Sequence, residues 1–195
     1  MKITVGYVAV PIQLTLAVLV STLPGGTKAY AQAQVPTHCS AAERTFISAK
    51  MQKVHTAKAG ITYSPTGKVL SICINPQGPV ITQMSYRYGA PGQVEFEQVA
   101  LPTSKFAILT RSTGPHTGEN IIGFNKGSFH YYVSEAMGQG SGVSLVVFSH
   151  GKKIVDLFSG NAAGEDFVSL QDDFDFDAIK SPVLVKKAPV DDLKW

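Results

Sequence analysis

Long apolar runs are missing. The one sustained run, VAVPIQLTLAVLV (Val8–Val20), has 13 residues. A membrane-spanning helix needs roughly 20, and Pro11 and Gln13 interrupt this one. Acid is missing from the first thirty residues, which carry Lys2 and Lys28 only. A positive start, a short apolar stretch, Pro24-Gly25-Gly26 and the small-residue pattern Ala29-Tyr30-Ala31 follow in the order of a secretory signal peptide. Cleavage is expected after Ala31 or Ala33. Residues 1–31 are therefore read as a leader and 32–195 as one folded domain. Loss of Lys2 and Lys28 takes the net charge from +3 to +1. A near-neutral exported chain gives no reason to expect nucleic acid. The expected location is periplasmic or secreted, with no membrane span after cleavage.

Cysteine is scarce. The two that occur, Cys39 and Cys73, are expected to form one disulfide in an oxidising compartment. They lack a histidine pair at ligand spacing and make a poor zinc site.

Catalytic signatures are also absent. There is no His-Glu-x-x-His, no phosphate loop and no dinucleotide fingerprint. Ser141 lies among glycines, but a nucleophile elbow needs glycine two residues to either side, and Gln139 and Val143 stand there. Asp172, Asp173, Asp175 and Asp177 lack the glycine and terminal glutamate of a calcium loop. No catalytic residue, metal or cofactor is assigned. Glu95 and Glu97 share a strand face, as surface acids on strands often do. His116 and His130 are the histidines that an enzymatic reading would use.

What is present reads as strands. KVLSICI (Lys68–Ile74), rich in β-branched and apolar residues, VITQMSYRY (Val80–Tyr88), QVEFEQVAL (Gln93–Leu101) and KFAILTRS (Lys105–Ser112) come first. Two pairs of apolar runs then flank Lys126-Gly127 and His150-Gly151. Eight short strands predict a mainly β fold, an antiparallel sandwich or small barrel. One helix is expected before them, over Ser40–Lys58. Ser40 and Glu43 have capping-box spacing there, and Phe46, Ile47, Met51 and Val54 fall near helical spacing. Residues 32–60 thus form a predicted helical segment and 61–195 the β domain.

In YRYGAPGQVEFE (86–97), Tyr86 and Tyr88 share one side of a strand and Arg87 the other. Pro91-Gly92 suits a reversal, which sets Arg87 across from Glu95 or Glu97. Tyr86, Arg87 and Tyr88 are the candidate binding residues, since Tyr and Arg are favoured at interface centres.

The run LSICINPQGPVITQMSYRYGAPGQVEFE, with GFNKGSFHYYV and GVSLVVFSHGKKIVDL, resembles a group of small secreted bacterial β proteins. The shared pattern is a cysteine-bearing strand, Tyr-Arg-aromatic-Gly, Pro-Gly and Glu. The plan of leader, one disulfide and about eight strands is distantly similar to periplasmic lysozyme inhibitors, which present a Ser-Gly loop to the enzyme cleft. Ser141-Gly142 would be that loop here, although Val143 and Ser144 stand where the inhibitors commonly carry tyrosine. That similarity implies a protein partner, with this chain as inhibitor or immunity protein against a wall-degrading enzyme. A hydrolase of the envelope and a structural envelope component are the rival expectations.

Overall fold

The computed structural model describes residues 35–138, 141–160, 166–170 and 178–187; the leader, the acidic run 172–177 and the C-terminus lie outside them. Eleven strands occur among these residues: β1 Arg44–Ala57, β2 Gly60–Gln77, β3 Val80–Ala90, β4 Gln93–Val99, β5 Phe106–Gly114, β6 Thr117–Lys126, β7 Phe129–Met137, β8 Gly142–Ser149, β9 Lys152–Ser159, β10 Phe167–Ser169 and β11 Leu184–Lys186. They form one mixed sheet curled into a half-barrel, ten of them in the order β11-β5-β6-β7-β8-β9-β1-β2-β3-β4 and β10 off that path, paired with β1. Every pairing of named strands is antiparallel except β11 with β5.

The expected helix over Ser40–Lys58 is corrected to a strand. The local signal is real: the Ser40 N–H and Oγ both donate to Glu43 Oε2, at 2.8 and 2.9 Å. It caps a turn, and β1 begins immediately after it. From Ile47 the chain alternates, with Ile47, Ala49 and Met51 facing the core and Ser48, Lys50 and Gln52 facing out. β1 then finds partners on both edges. β2 lies along one edge, and β10 and β9 share the other, at Ile47–Ala49 and Gln52–Lys53. Ladders on both edges outweigh a helix preference worth only a few tenths of a kcal/mol per residue. No helix occurs among the described residues. Eleven strands replace the expected eight because β1, β10 and β11 were not anticipated.

The inner faces bury one core. Leu70, Ile72 and Ile74 of β2, Ile122 and Phe124 of β6, and Leu145 and Val147 of β8 all belong to it. The sheet's seam is approached from the C-terminal side. The Ile81 N–H donates to Lys180 O at 3.0 Å, and the Phe106 N–H to Val183 O at 3.1 Å, so residues 180–183 bond to both β3 and the start of β5.

The outer face of β1–β3 is buried too. Ser48, Ser71 and Cys73 are all at most 1% exposed. Residues 35–43 run across them as a strap. The Ser48 Oγ–H donates to Pro36 O at 2.7 Å, the His38 N–H donates to Ser71 Oγ at 3.0 Å, and Cys39 is disulfide-bonded to Cys73 with a Cα separation of 5.4 Å.

Candidate functional site

The residues singled out around the β3–β4 reversal fold as expected from their pattern. Pro91-Gly92 forms a two-residue turn with Gly92 at φ 78°, a left-handed conformation that glycine tolerates. Arg87 pairs with Glu97 and Tyr88 with Phe96. Their surroundings differ sharply. Tyr86 is 1% exposed, packed against Phe96, Phe124 and Tyr131. Burial pushes its phenol well above the ordinary range. Tyr88 is half-buried, and burial raises its phenol as well.

Arg87 stands on the outer face and ties the strap down. Its Nη1 and Nη2 donate to the two Glu43 oxygens at 2.6 and 3.1 Å, its Nε to Glu97 at 2.7 Å, and Nη1 also to His38 O at 3.1 Å. The forked bond to one carboxylate is the geometry for which guanidinium is suited. Hydrogen bonding to Glu43 raises the Arg87 pKa. Burial alone would raise the Glu43 carboxyl, but its bonds from Arg87 and Ser40 outweigh that and hold it below the ordinary range.

Gly142 is buried, and a Cβ there would meet the Phe158 ring at 2.5 Å. Phe158 in turn packs on Tyr63, ring centroids 5.4 Å apart. Ser141 is partly exposed just before β8.

The histidines are dispersed. His116 sits in the turn before β6 and His130 pairs with Asn125 at its far end, roughly 30 Å of strand apart. His130 Nδ1 lies 2.8 Å from Asn125 Oδ1, and His55 Nε2 lies 2.8 Å from Ser64 Oγ. Among the described residues no three His, Cys, Asp or Glu side chains converge as metal ligands. Glu95 is ion-paired with Lys68, whose hydrogen bond lowers the carboxyl pKa.

The most distinctive surface lies where a helix was expected. The β1–β2 hairpin continues past its last pairing with β9 at Lys53↔Leu157, as a two-stranded arm ending in the turn Lys58–Ala59. Val54 pairs with Tyr63 and Thr56 with Ile61 on one face; Lys53 pairs with Ser64 and His55 with Thr62 on the other. Ile61 is 58% exposed and Tyr63 46%. At the root of that apolar face is a cleft of about 300 Å³, walled by Pro36 of the strap, Pro65 and Val69 of β2, and Pro91 of the turn, with Lys50, Lys68 and Asp166 around it. That size is at the small end of ligand-sized pockets.

Sequence reasoning passed over the arm. Two signals for it were present. The alternation Val54-His55-Thr56 and Ile61-Thr62-Tyr63 brackets a tight turn, and no Asp or Glu occurs anywhere from Arg44 to Val94. Within 52–65 the charged residues are Lys53 and Lys58 alone.

Among the described residues no helix is long and apolar enough to cross a membrane. Comparison with known proteins returns no match: no family model, no curated protein and no solved structure aligns significantly with the chain.

Proposed function

We propose that this chain is an exported binding module that holds a protein partner on the outer face of its β1–β2 arm and the cleft at the arm's root. The observation that carries the reading is the arm itself. It projects roughly 15 Å past the last β9 pairing and keeps Ile61 and Tyr63 exposed on one face. A lone exposed apolar residue needs no explanation, but two on one face of the same strand beside an apolar cleft mark an interaction surface. Cross-strand pairing holds these side chains in fixed register, which lowers the ordering cost of docking. Export is supported by the leader pattern of residues 1–31 and by the Cys39–Cys73 pair. An inhibitor or immunity protein against a wall-degrading enzyme is the class that the similarity in plan suggests.

A photo-crosslinking amino acid placed at position 63, 88 or 141 tests the surface. In envelope extract, position 63 should give a discrete covalent adduct, and positions 88 and 141 should give little. Adducts at 88 or 141 without one at 63 would return the site to the β3–β4 cluster or the Ser141 loop.

A further inference from the structure

We propose that the arm binds its partner by strand addition: the open edge of β2 from Ile61 to Pro65 accepts an extended, acidic segment of another protein as an extra strand. The inference rests on the binding-module reading and specifies the chemistry of that site.

The backbone argument comes first. Ala57 and Gly60 flank the two-residue turn and pair with each other. In a hairpin this short that pair exchanges both backbone hydrogen bonds, and bonded pairs then recur at every second position. His55↔Thr62 and Lys53↔Ser64 are therefore bonded pairs. Ile61, Tyr63 and Pro65 aim their backbone groups away from β1. Pro65 fits this pattern, since it has no N–H and none is needed towards β1 at its position.

On the side to which those groups point, β3 pairs with β2 only from Val69↔Gly89 onward and ends at Ala90. Among the described residues no strand pairs with β2 before Val69 on that side. Ile61 and Tyr63 each present an N–H and a C=O there, and Pro65 presents a C=O. An added strand would run in line with β3, beyond the Pro91–Gly92 turn. Its alternate side chains on the outer face would meet Tyr63, Pro65 and the cleft with Val69, Pro36 and Pro91. Alternating pockets and main-chain bonds are what strand addition reads.

Charge selects the occupant. The arm carries Lys53 and Lys58 with no acid, and the three strands β1–β3 contain none. Two copies of the arm, each with Lys53 and Lys58 and no acid, would approach with no opposite charge to offset their repulsion. An incoming strand with carboxylates at alternate positions is attracted by the same field. A lipid or a sugar would make no use of the two N–H donors at a strand repeat.

The test uses the full-length oxidised protein and a labelled hexapeptide alternating Glu with Val and Phe, followed by fluorescence anisotropy. A Lys-for-Glu version and a version N-methylated at alternate amides are the comparisons. The acidic peptide should bind saturably, and the other two should bind about tenfold more weakly or less, the loss expected when main-chain bonds or charge attraction are removed. Tyr63→Pro removes an edge donor that β1 does not use and should weaken the acidic peptide by a similar factor, with the far-ultraviolet spectrum unchanged. Equal binding of the N-methylated peptide, no saturable binding of any peptide, or arm-mediated dimers by sedimentation would each overturn strand addition. Because the peptide reports the edge and the crosslink at position 63 reports the surface, an adduct without peptide binding leaves the binding module standing and removes only this mode.

Discussion

Phe96 and Tyr131 stack with their rings 5.2 Å apart and 12° from parallel, although their strands, β4 and β7, are far apart in the sheet order. The contact is one link of a series. Tyr131 stacks on Phe124 at 4.8 Å and Phe124 on Phe106 at 4.7 Å, while Tyr86 sits edge-on to Phe96 and Lys126 Nζ caps that ring at 4.3 Å. Where the strands do not meet by hydrogen bonds, aromatic rings join the two ends of the half-barrel.

Phe96→Ala and Tyr131→Ala should therefore each lower stability by about 2–4 kcal/mol, below the range for a fully buried ring because both are only partly buried. The double variant should show a coupling of about 0.5–1.5 kcal/mol. Urea midpoints of the four proteins decide it; strict additivity would mean that the rings are neighbours without being partners.

Arg87→Ala should cost about 2–4 kcal/mol, because it leaves the strap's largely buried Glu43 carboxylate without its partner. Thermal and urea unfolding measure this directly. An unchanged Tm would place the Arg87 contacts among surface pairs of little worth.

Acid should release the same latch. Glu43 is held below its ordinary pKa, near 4.5. A carboxyl whose folded pKa is depressed contributes stability in full above its unfolded pKa and loses it as pH falls through the folded one. Between pH 5 and pH 3 the wild type should lose more stability than Glu43→Gln, which starts lower and has no such group to protonate. Parallel urea titrations across that window would show the two curves converging at low pH.

Ser85 is fully buried, and among the described residues its Oγ has no hydrogen-bond partner. Ser85→Ala should raise stability by about 1 kcal/mol, since it removes a desolvated hydroxyl that gains nothing from folding. A loss instead of a gain, read from the urea midpoint, would mean that the hydroxyl is paired in solution.

Gly142→Ala should destabilise by about 1–3 kcal/mol through overpacking, because the new methyl would have to displace the Phe158 ring. Phe158 supports Tyr63. Amide exchange in residues 60–65 should therefore quicken in this variant more than exchange in β6 and β7.

How far the fold could be read in advance depended on how local its causes are. The β3–β4 hairpin was legible because Pro91-Gly92 and the Arg87–Glu97 pairing act within a dozen residues. The turns at Lys126-Gly127 and His150-Gly151 were legible for the same reason. Cys39 and Cys73 needed only a compartment and a count of two. β1 was misread because the misleading Ser40–Glu43 contact is only three residues long, while part of what holds the strand in the sheet, β9 and β10, lies about a hundred residues away. The arm went unnoticed as a consequence: a segment read as helix offers no edge. Tyr86 was singled out correctly as one side of an alternating strand, but alternation alone cannot tell which side faces the core.

The placement of β1 also bears on how the molecule is made. The edge that β2 does not cover is completed by β9 and β10, and the seam between β3 and β5 by residues 180–183. A polypeptide emerging N-terminus first thus carries its earliest strand unfinished through most of synthesis. Stalled or truncated products would expose a sticky β edge with an apolar inner face, the combination that chaperones hold and that otherwise aggregates.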